Sequence, residues 1–360
     1  MRPLPLWQGT AVNGLNLEIQ SDPPLKAPRK SGIRWLCRLG LVGLVSLVLL
    51  VAVGGVWQAV ATRYFERKHP APGKLFDVGG HRLHLFSQGS GSPAVIIDAG
   101  LSGASYDWET VATGIAQFTQ VCTYDRAGYG WSDPGPRPRT SQQAVEELRT
   151  LLQKAEVKPP FILVGHSWSG LNVRLYASQH PDEVAGLILV DALNVDLYPV
   201  GSQPGEVPAL YTLLNSAAFL GPQRWVTPGI IREPVNDPPA RAFRLAMLNR
   251  TRTTRAIYDE LTAQANWLQV RAAMRHLGDL PVTVMTTQLD PARATNGFRL
   301  GGPDWIKMQH ALTNISHRSR FIVADTTEHD IQFHRPDQIV AAVREQVAWL
   351  NSHPSASTRP

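Results

Sequence analysis

Cysteine is scarce in this chain, and its two cysteines, Cys37 and Cys122, lie in different segments. A disulfide framework or a cysteine-type zinc site needs more cysteines than this. Cys122 lies within an apolar run and is expected to be a small buried core residue. Paired Cys/His metal spacing and a phosphate-cradling glycine motif are also missing. The sequence therefore predicts neither a metal ion nor a nucleotide cofactor.

Excess positive charge is missing from most of the chain, although the formal net charge is +6. Residues 1–74 hold ten of the 35 Lys and Arg but only three of the 29 Asp and Glu, so this segment carries +7 and the remainder −1. A nucleic-acid-binding surface would need that charge on the folded domain. The distribution therefore argues against a nucleic-acid partner.

No charged side chain occurs in Leu39–Thr62. These 24 residues would extend about 36 Å as a helix, enough for a hydrocarbon core of about 30 Å. Trp35 and Trp57 lie near the ends, where amphipathic rings favour the membrane interface. We therefore expect a transmembrane anchor helix over residues 33–62.

Basic residues precede this anchor, which favours a cytoplasmic N-terminus and a domain on the extracytoplasmic side. A cleaved signal peptide is the alternative, because Ala59-Val60-Ala61 fits a cleavage site and would release a secreted or periplasmic protein. The apolar run is longer than a signal peptide requires, so the sequence favours the anchor.

Short apolar runs alternate with helical patterns beyond residue 75, which predicts an α/β domain with a mainly parallel, doubly wound sheet. The predicted strands are 81–86, 94–97, 120–124, 161–164, 185–190, 281–285 and 321–324. Helical patterns cover 107–118, 140–155 and 336–350. The alternation stops over about 192–279, which is expected to be a helical cap inserted into the domain.

The remaining boundaries follow from composition. A disordered tail is expected before the anchor and a polar linker after it, and the last residues are expected to be a flexible tail. The predicted organisation is tail 1–32, anchor 33–62, linker 63–74, domain 75–350 and tail 351–360.

The segment Gly165-His166-Ser167-Trp168-Ser169-Gly170 joins an apolar run to a helical pattern. A serine on a sharp strand-to-helix turn projects its hydroxyl above the sheet, and small neighbours allow close packing. The common motif has glycine where this chain has Ser169, which is a departure but still a small residue. We expect Ser167 to be a nucleophile.

A serine nucleophile needs an imidazole base, and the base needs a carboxylate to orient it. Asp290 follows the strand predicted at 281–285, and His329 follows the last predicted strand, so both match the expected chain order. Asp191, after the strand at 185–190, is the alternative acid. His334 is the alternative base.

The chain resembles the α/β-hydrolase superfamily, in its membrane-anchored bacterial esterase and lipase-like form, over about residues 75–350. Four segments carry the resemblance: AVIIDAGLSGASYDW (94–108), YDRAGYGWSDP (124–134), GHSWSG (165–170) and EHDIQFHRPDQIV (328–340). It implies an eight-stranded sheet. It also argues against the epoxide-hydrolase and dehalogenase branches, which carry aspartate at the position of Ser167.

The resemblance implies that Ser167 attacks an acyl carbon, His329 transfers the proton and Asp290 holds His329. The backbone N–H groups of Leu101 and Trp168 would form the oxyanion hole. The expected function is cleavage of a carboxylic ester in a small-molecule acyl substrate, without a cofactor.

Two other functions stay open, and the oligomeric state is left undetermined. A proline-releasing aminopeptidase would share the strand-to-helix turn that carries the serine (the nucleophile elbow) and the cap. It would need carboxylates in the cap to bind the free amine of its substrate. A non-catalytic binding module would be expected to have lost one of the three site residues. Apolar cap residues are expected to form the cap's own core or an acyl pocket: Leu210, Leu213, Leu214, Phe219, Leu220, Trp225, Phe243 and Trp267.

Overall fold

The computed structural model describes residues 30–194, 207, 209–230, 238–263, 267–288 and 303–353. The chain divides into two units, Met1–Ala52 and Val53–Pro360. Helix α1 (Lys30–Lys68) begins in the first unit and ends in the second, which holds the remaining described elements.

The second unit is built on one eight-stranded sheet in the order β1-β2-β4-β3-β5-β6-β7-β8. Strand β2 pairs antiparallel with β1 and β4, and the pairs from β4 to β8 are parallel. The strands are β1 (Lys74–Asp77), β2 (Arg82–Gln88), β3 (Ala94–Asp98), β4 (Val121–Tyr124), β5 (Phe161–His166), β6 (Val184–Val190), β7 (Val282–Thr287) and β8 (Ser319–Ala324). The predicted fold class is confirmed, and β1 is a strand that the sequence patterns did not indicate.

Every residue of the four strands β3, β5, β6 and β7 is buried. Helices cover both faces of the sheet and explain this burial, because a parallel strand covered on both sides can present apolar residues in both directions. One cluster joins β5 and β6 to helices α3 (Ser141–Lys154) and α4 (Ser169–Gln179). The other joins the opposite strand faces to α2 (Glu109–Ile115) and α12 (Pro336–Ser352).

Local sequence fixes the ends of these helices. The Thr140 hydroxyl accepts a hydrogen bond from the Gln143 N–H at 3.1 Å, so the predicted start of α3 is confirmed. Pro336 occupies the first turn of α12, where a missing N–H costs nothing.

The described part of the predicted cap contains helices and no strand. Its helices are α5 (Ala209–Ala217), α6 (Gln223–Ile230), α7 (Pro238–Leu248), α8 (Thr251–Thr262) and α9 (Trp267–Ala273). Two short helices, α10 (Pro303–Ala311) and α11 (Ile331–His334), flank β8.

Helix α1 corrects the expected boundaries near the N-terminus. It continues past Thr62 to Lys68, so the connection to β1 is shorter than the predicted linker 63–74. Its segment Arg34–Lys68 is long and apolar enough to cross a membrane. Residues 351 and 352 belong to α12 and not to the expected flexible tail. The expected disorder of residues 1–29 and 354–360 concerns positions outside the described part.

Candidate active site

Ser167 lies on the turn between β5 and α4, at the carboxyl end of a buried strand. Its φ of 50° is in the left-handed region, which is costly for a residue with a side chain. The turn is held by its own backbone, since the Ser167 N–H donates to the Val190 oxygen at 3.1 Å and the Leu193 N–H donates to the Ser167 oxygen at 2.8 Å. These two hydrogen bonds therefore hold the strained turn against the end of β6.

Small residues allow this turn to pack closely. A Cβ at Gly170 would lie 2.5 Å from the Ala192 Cβ. Ser169, the departure from the common motif, is fully buried, and its hydroxyl accepts the His166 N–H at 2.9 Å and contacts the Asp98 oxygen at 2.5 Å. The serine hydroxyl thus ties the turn to the end of β3, a contact that a glycine would lack.

His329 lies in the loop after β8, and its Nδ1 is 2.6 Å from Oδ2 of Asp191. Asp191 follows β6 directly and has a φ of 42°. Its other oxygen, Oδ1, accepts hydrogen bonds from the Thr286 hydroxyl at 2.8 Å and from the Trp305 indole N–H at 2.9 Å. The Asp191 side chain is only 1% exposed, so three donors hold a buried carboxylate in one orientation.

The pKa values of this pair move in opposite directions. Burial lowers the pKa of His329, but the hydrogen bond and the charge of Asp191 outweigh it, and the pKa lies above its usual value. Burial raises the pKa of Asp191, but the hydrogen bonds led by the one from His329 leave it below its usual value. The carboxylate therefore stabilises a positive charge on the imidazole.

From the sequence we expect Asp290 to hold His329. Asp290 lies outside the described residues, but the position beside Nδ1 is occupied by Asp191. Because Nδ1 can donate only one proton, a second carboxylate cannot share that hydrogen bond. The geometry favours the alternative acid, after β6, over the expected one, after β7.

Three other ionisable side chains near His329, which could serve as a base or an acid, have different surroundings. Burial and the neighbouring His329 lower the pKa of His166 to about 4, and its Nε2 lies 3.2 Å from the His329 backbone oxygen. Asp325 is paired with Arg335 on the surface. His334 lies in α11, and no contact to Asp191 is seen for it among the described residues. His329 is thus the histidine that the fold brings to the carboxylate.

The loop after β3 approaches the Ser167 turn closely. A Cβ at Gly100 would lie 2.7 Å from Nδ1 of the buried His166 and 3.2 Å from the Ser167 Cβ, which favours glycine there. The Leu101 side chain packs on a cluster that contains Trp168 and Leu193. The two residues expected to supply oxyanion N–H groups, Leu101 and Trp168, therefore flank the serine.

Arg126, in the YDRAGYG segment, holds this loop through its backbone oxygens. Its Nη2 donates to the Gly100 oxygen at 2.9 Å, and its Nη1 contacts the Ala99 oxygen and Oδ1 of Asp98. On its other side, Nε donates to Oε1 of Glu260 in α8 at 2.8 Å. Both the Arg126 and the Glu260 side chains are buried, so one guanidinium joins the loop to the cap.

Sequence reasoning identified neither this ion pair nor Trp305 and Thr286. The Arg126–Glu260 contact joins residues that are 134 positions apart in the chain. The contacts of Asp191 with Thr286 and Trp305 join residues about 100 positions apart, and no local pattern marks any of them. Asp125 organises the loop after β4. Its buried carboxylate accepts the N–H groups of Ser105 and Trp131 and lies 2.9 Å from His84 Nδ1.

A metal-binding cluster of three or more His, Cys, Asp or Glu side chains is not found in the described part of the chain. Ser167 and the His329–Asp191 pair are groups suited to acyl transfer.

Comparison with known proteins identifies the fold. A family model described as alpha/beta hydrolase fold matches residues 93–218. An uncharacterized protein of Bacillus subtilis, YqjL, is 24% identical over 271 residues, which cover 75% of this chain and 90% of that protein. Two other curated relatives match over shorter parts, and the chain spans 24% and 48% of their lengths.

Solved structures share the fold. An esterase from Thermogutta terrifontis has a TM-score of 0.57 at 19% identity, covering 77% of this chain and 95% of that one. An enol-lactonase from Burkholderia xenovorans LB400 has a TM-score of 0.58 at 17% identity, covering 76% and 100%. Together with the family model and the eight-stranded sheet, these matches show that the chain has the α/β-hydrolase fold.

Proposed function

We propose that the chain is a serine hydrolase that cleaves carboxylic esters through an acyl-enzyme intermediate, with Ser167, His329 and Asp191 as its catalytic residues. The observation that carries the proposal is the 2.6 Å contact between His329 Nδ1 and Asp191, beside a serine held on a strained turn. The fold neighbours include esterase, lactonase, epoxide hydrolase and dehalogenase, so the fold alone does not select the reaction. Serine at the elbow favours acyl chemistry.

In the proposed reaction, His329 Nε2 takes the proton of the Ser167 hydroxyl as Oγ attacks the acyl carbon. The carbonyl oxygen becomes an oxyanion, which the N–H groups of Leu101 and Trp168 stabilise by about 10²–10³-fold in rate per donor. His329 then gives its proton to the departing alkoxide, and the acyl group stays on Ser167.

Hydrolysis of the acyl-enzyme uses the same groups. His329 takes a proton from water, the hydroxide attacks the acyl carbon, and the bond to Ser167 Oγ breaks. The carboxylic acid leaves, and the proton returns from His329 to the serine. No cofactor enters either half of the reaction.

An aminopeptidase would need free carboxylates in the cap. Glu260 is paired with Arg126 at 2.8 Å and Asp259 with Arg137 at 2.8 Å, so these two are already neutralised. Glu206, Glu233 and Asp237 lie outside the described residues. A non-catalytic module is disfavoured because a serine, a base and an oriented acid are all present.

Labelling with a fluorophosphonate tests the proposal. The Ser167 oxygen should form a bond to phosphorus as fluoride leaves, and wild-type protein should hydrolyse p-nitrophenyl esters of some acyl length. Ser167→Ala should lose both reactions and keep its thermal unfolding midpoint, because the Ser167 hydroxyl that it removes contributes little to packing. Labelling that persists in Ser167→Ala, or cleavage of prolyl amides in preference to esters, would contradict the proposal.

We further propose that α1 is retained as a single-pass membrane anchor with the hydrolase domain on the extracytoplasmic side. The long apolar helix and the basic residues before it support this location. N-terminal sequencing of the natively processed protein tests it. A mature chain beginning near Thr62 would mean that the helix is removed as a signal peptide.

A further inference from the structure

The described part of the cap exposes large apolar side chains, where the sequence suggested a cap core or an acyl pocket. Trp225 is 80% exposed and Leu213 is 65% exposed, and Leu210 and Phe219 are exposed as well. We call these four residues the apolar cap face. The side chain of Trp267 lies outside the described part.

Residues 209–220 form a short apolar helical segment that contains no charged residue. An apolar helix of this length is usually a core helix or an interfacial one. Only Leu214 and Ala218 of this segment are buried, so it is not a core helix. Its exposed apolar side chains are of the kind that mark a binding site for a protein or a membrane.

The C-terminal part of α1, from Val53 to Lys68, packs against the cap beside this face. A Cβ at Gly54 would lie 3.3 Å from the Leu220 oxygen, and a Cβ at Gly221 would lie 2.9 Å from the Trp57 ring. The two glycines therefore allow the backbones to approach closely. This part of the helix belongs to the same structural unit as the cap.

Polar contacts secure the packing. The Gln58 amide donates to the Asn249 oxygen at 2.8 Å and accepts from Arg224 Nε at 2.6 Å. Gln58 is 2% exposed, so the polar residue in the apolar run faces the protein. Farther along, Glu66 lies 3.0 Å from Arg252 of α8. The cap is thus fastened to α1 over about three turns.

The opposite side of this helix is exposed and apolar up to Tyr64. Val56 and Val60 are 64% and 60% exposed, and Tyr64 is 69% exposed. Arg63 and Arg67, also exposed, come at the same end as Tyr64. Aromatic and basic residues in this order are typical of the boundary between hydrocarbon and headgroups.

The contacts between α1 and the cap begin directly after a stretch of helix that is long enough to cross a bilayer. The 18 residues from Leu36 to Val53 extend about 27 Å, close to the thickness of the hydrocarbon core. Gly54, which contacts the cap, follows immediately. If the membrane segment instead runs to Thr62, the contact at Gly54 lies deeper. In both cases the residue of α1 that contacts the cap, Gly54, lies at the edge of the hydrocarbon core or within it.

We propose that the apolar cap face is a lipid-binding surface, inserted beside α1 into the leaflet from which the helix emerges. It attaches the catalytic domain to the bilayer at a second place, in addition to the anchor. A lipid surface is favoured over a second copy of the chain because the part of α1 that contacts the cap directly follows the segment long enough to cross a membrane, and because that part of α1 also exposes apolar side chains.

The test uses the full chain in phospholipid nanodiscs, with Cys37→Ser as background, since Cys122 is buried. An NBD fluorophore is attached at Leu213→Cys or Trp225→Cys. Asp182→Cys serves as a matched exposed control on the hydrolase core, before β6. Thermal unfolding checks that each variant is folded, and no step depends on catalytic activity.

At positions 213 and 225 we expect strong quenching by doxyl-labelled lipid and several-fold weaker quenching by aqueous iodide than at position 182. Iodide quenching equal to that at position 182, without quenching by lipid, would overturn the proposal. Protection from both quenchers, with cross-linking between copies, would overturn it in favour of a second copy.

Discussion

The hydrolase core and the cap contribute to the candidate site in different ways. The core supplies the three proposed catalytic residues on loops that follow parallel strands, and hydrogen bonds to neighbouring strand ends hold Ser167 and Asp191. The cap reaches the site through ion pairs. Glu260 of α8 holds Arg126, and Arg244 of α7 lies 2.9 Å from Asp107, just after the loop that carries Leu101.

The difference separates chemistry from positioning. Loss of a core group removes a proton acceptor or its orientation. Loss of a cap group would leave the proton acceptor and its carboxylate in place. It would instead loosen Arg126, which holds the backbone oxygens of the loop after β3. Catalysis is sensitive to both, since a displacement of about 1 Å costs on the order of 10²-fold in rate.

The largest effect is expected in the core, at the acid. Asp191→Asn should lower kcat for an ester by about 10⁴-fold, the magnitude seen for the equivalent change in a serine protease. An amide that donates to Nδ1 forces the proton onto Nε2, which then cannot accept the serine proton. Steady-state kinetics of purified variants measures this loss.

Asp290→Asn is the matched control for that prediction. It should change kcat by less than about tenfold, since Asp191 already occupies Nδ1. A large loss for Asp290→Asn together with a small loss for Asp191→Asn would reverse the assignment of the acid.

An intermediate effect is expected at the cap. Glu260→Gln should lower kcat by about 10–100-fold, because Arg126 loses a charged partner and the loop bearing Leu101 is held less firmly. Asp259→Asn is the control, since its partner Arg137 is largely exposed and distant from the loop. If the two variants have equal kcat values, the cap does not position the loop.

The smallest effect concerns the pH dependence. His329 acts as a base only when neutral, and its pKa is raised, so kcat/KM should fall with decreasing pH through a midpoint above 6.5. Removing the Asp191 charge should move the midpoint of the residual activity to lower pH. Glu260→Gln should leave it in place. A midpoint that moves in Glu260→Gln would mean that core and cap are coupled electrostatically.

The sequence alone predicted much of the sheet and the nucleophile turn. Buried parallel strands are continuous apolar runs, and the motif that marks the Ser167 turn spans six consecutive residues, 165–170. His329 follows from chain order, because it comes after the last strand. Such features rest on local periodicity and on short motifs, which a sequence displays directly.

The choice of the acid required the tertiary structure. Asp191 and Asp290 both follow strands, and 138 positions separate Asp191 from the histidine that it contacts. The same holds for Gln58 and Glu66, which the sequence assigned to an anchor and a linker but which the fold packs against the cap. A composition pattern reports whether a segment is apolar, but the partner of each polar side chain is decided only when distant segments meet in space.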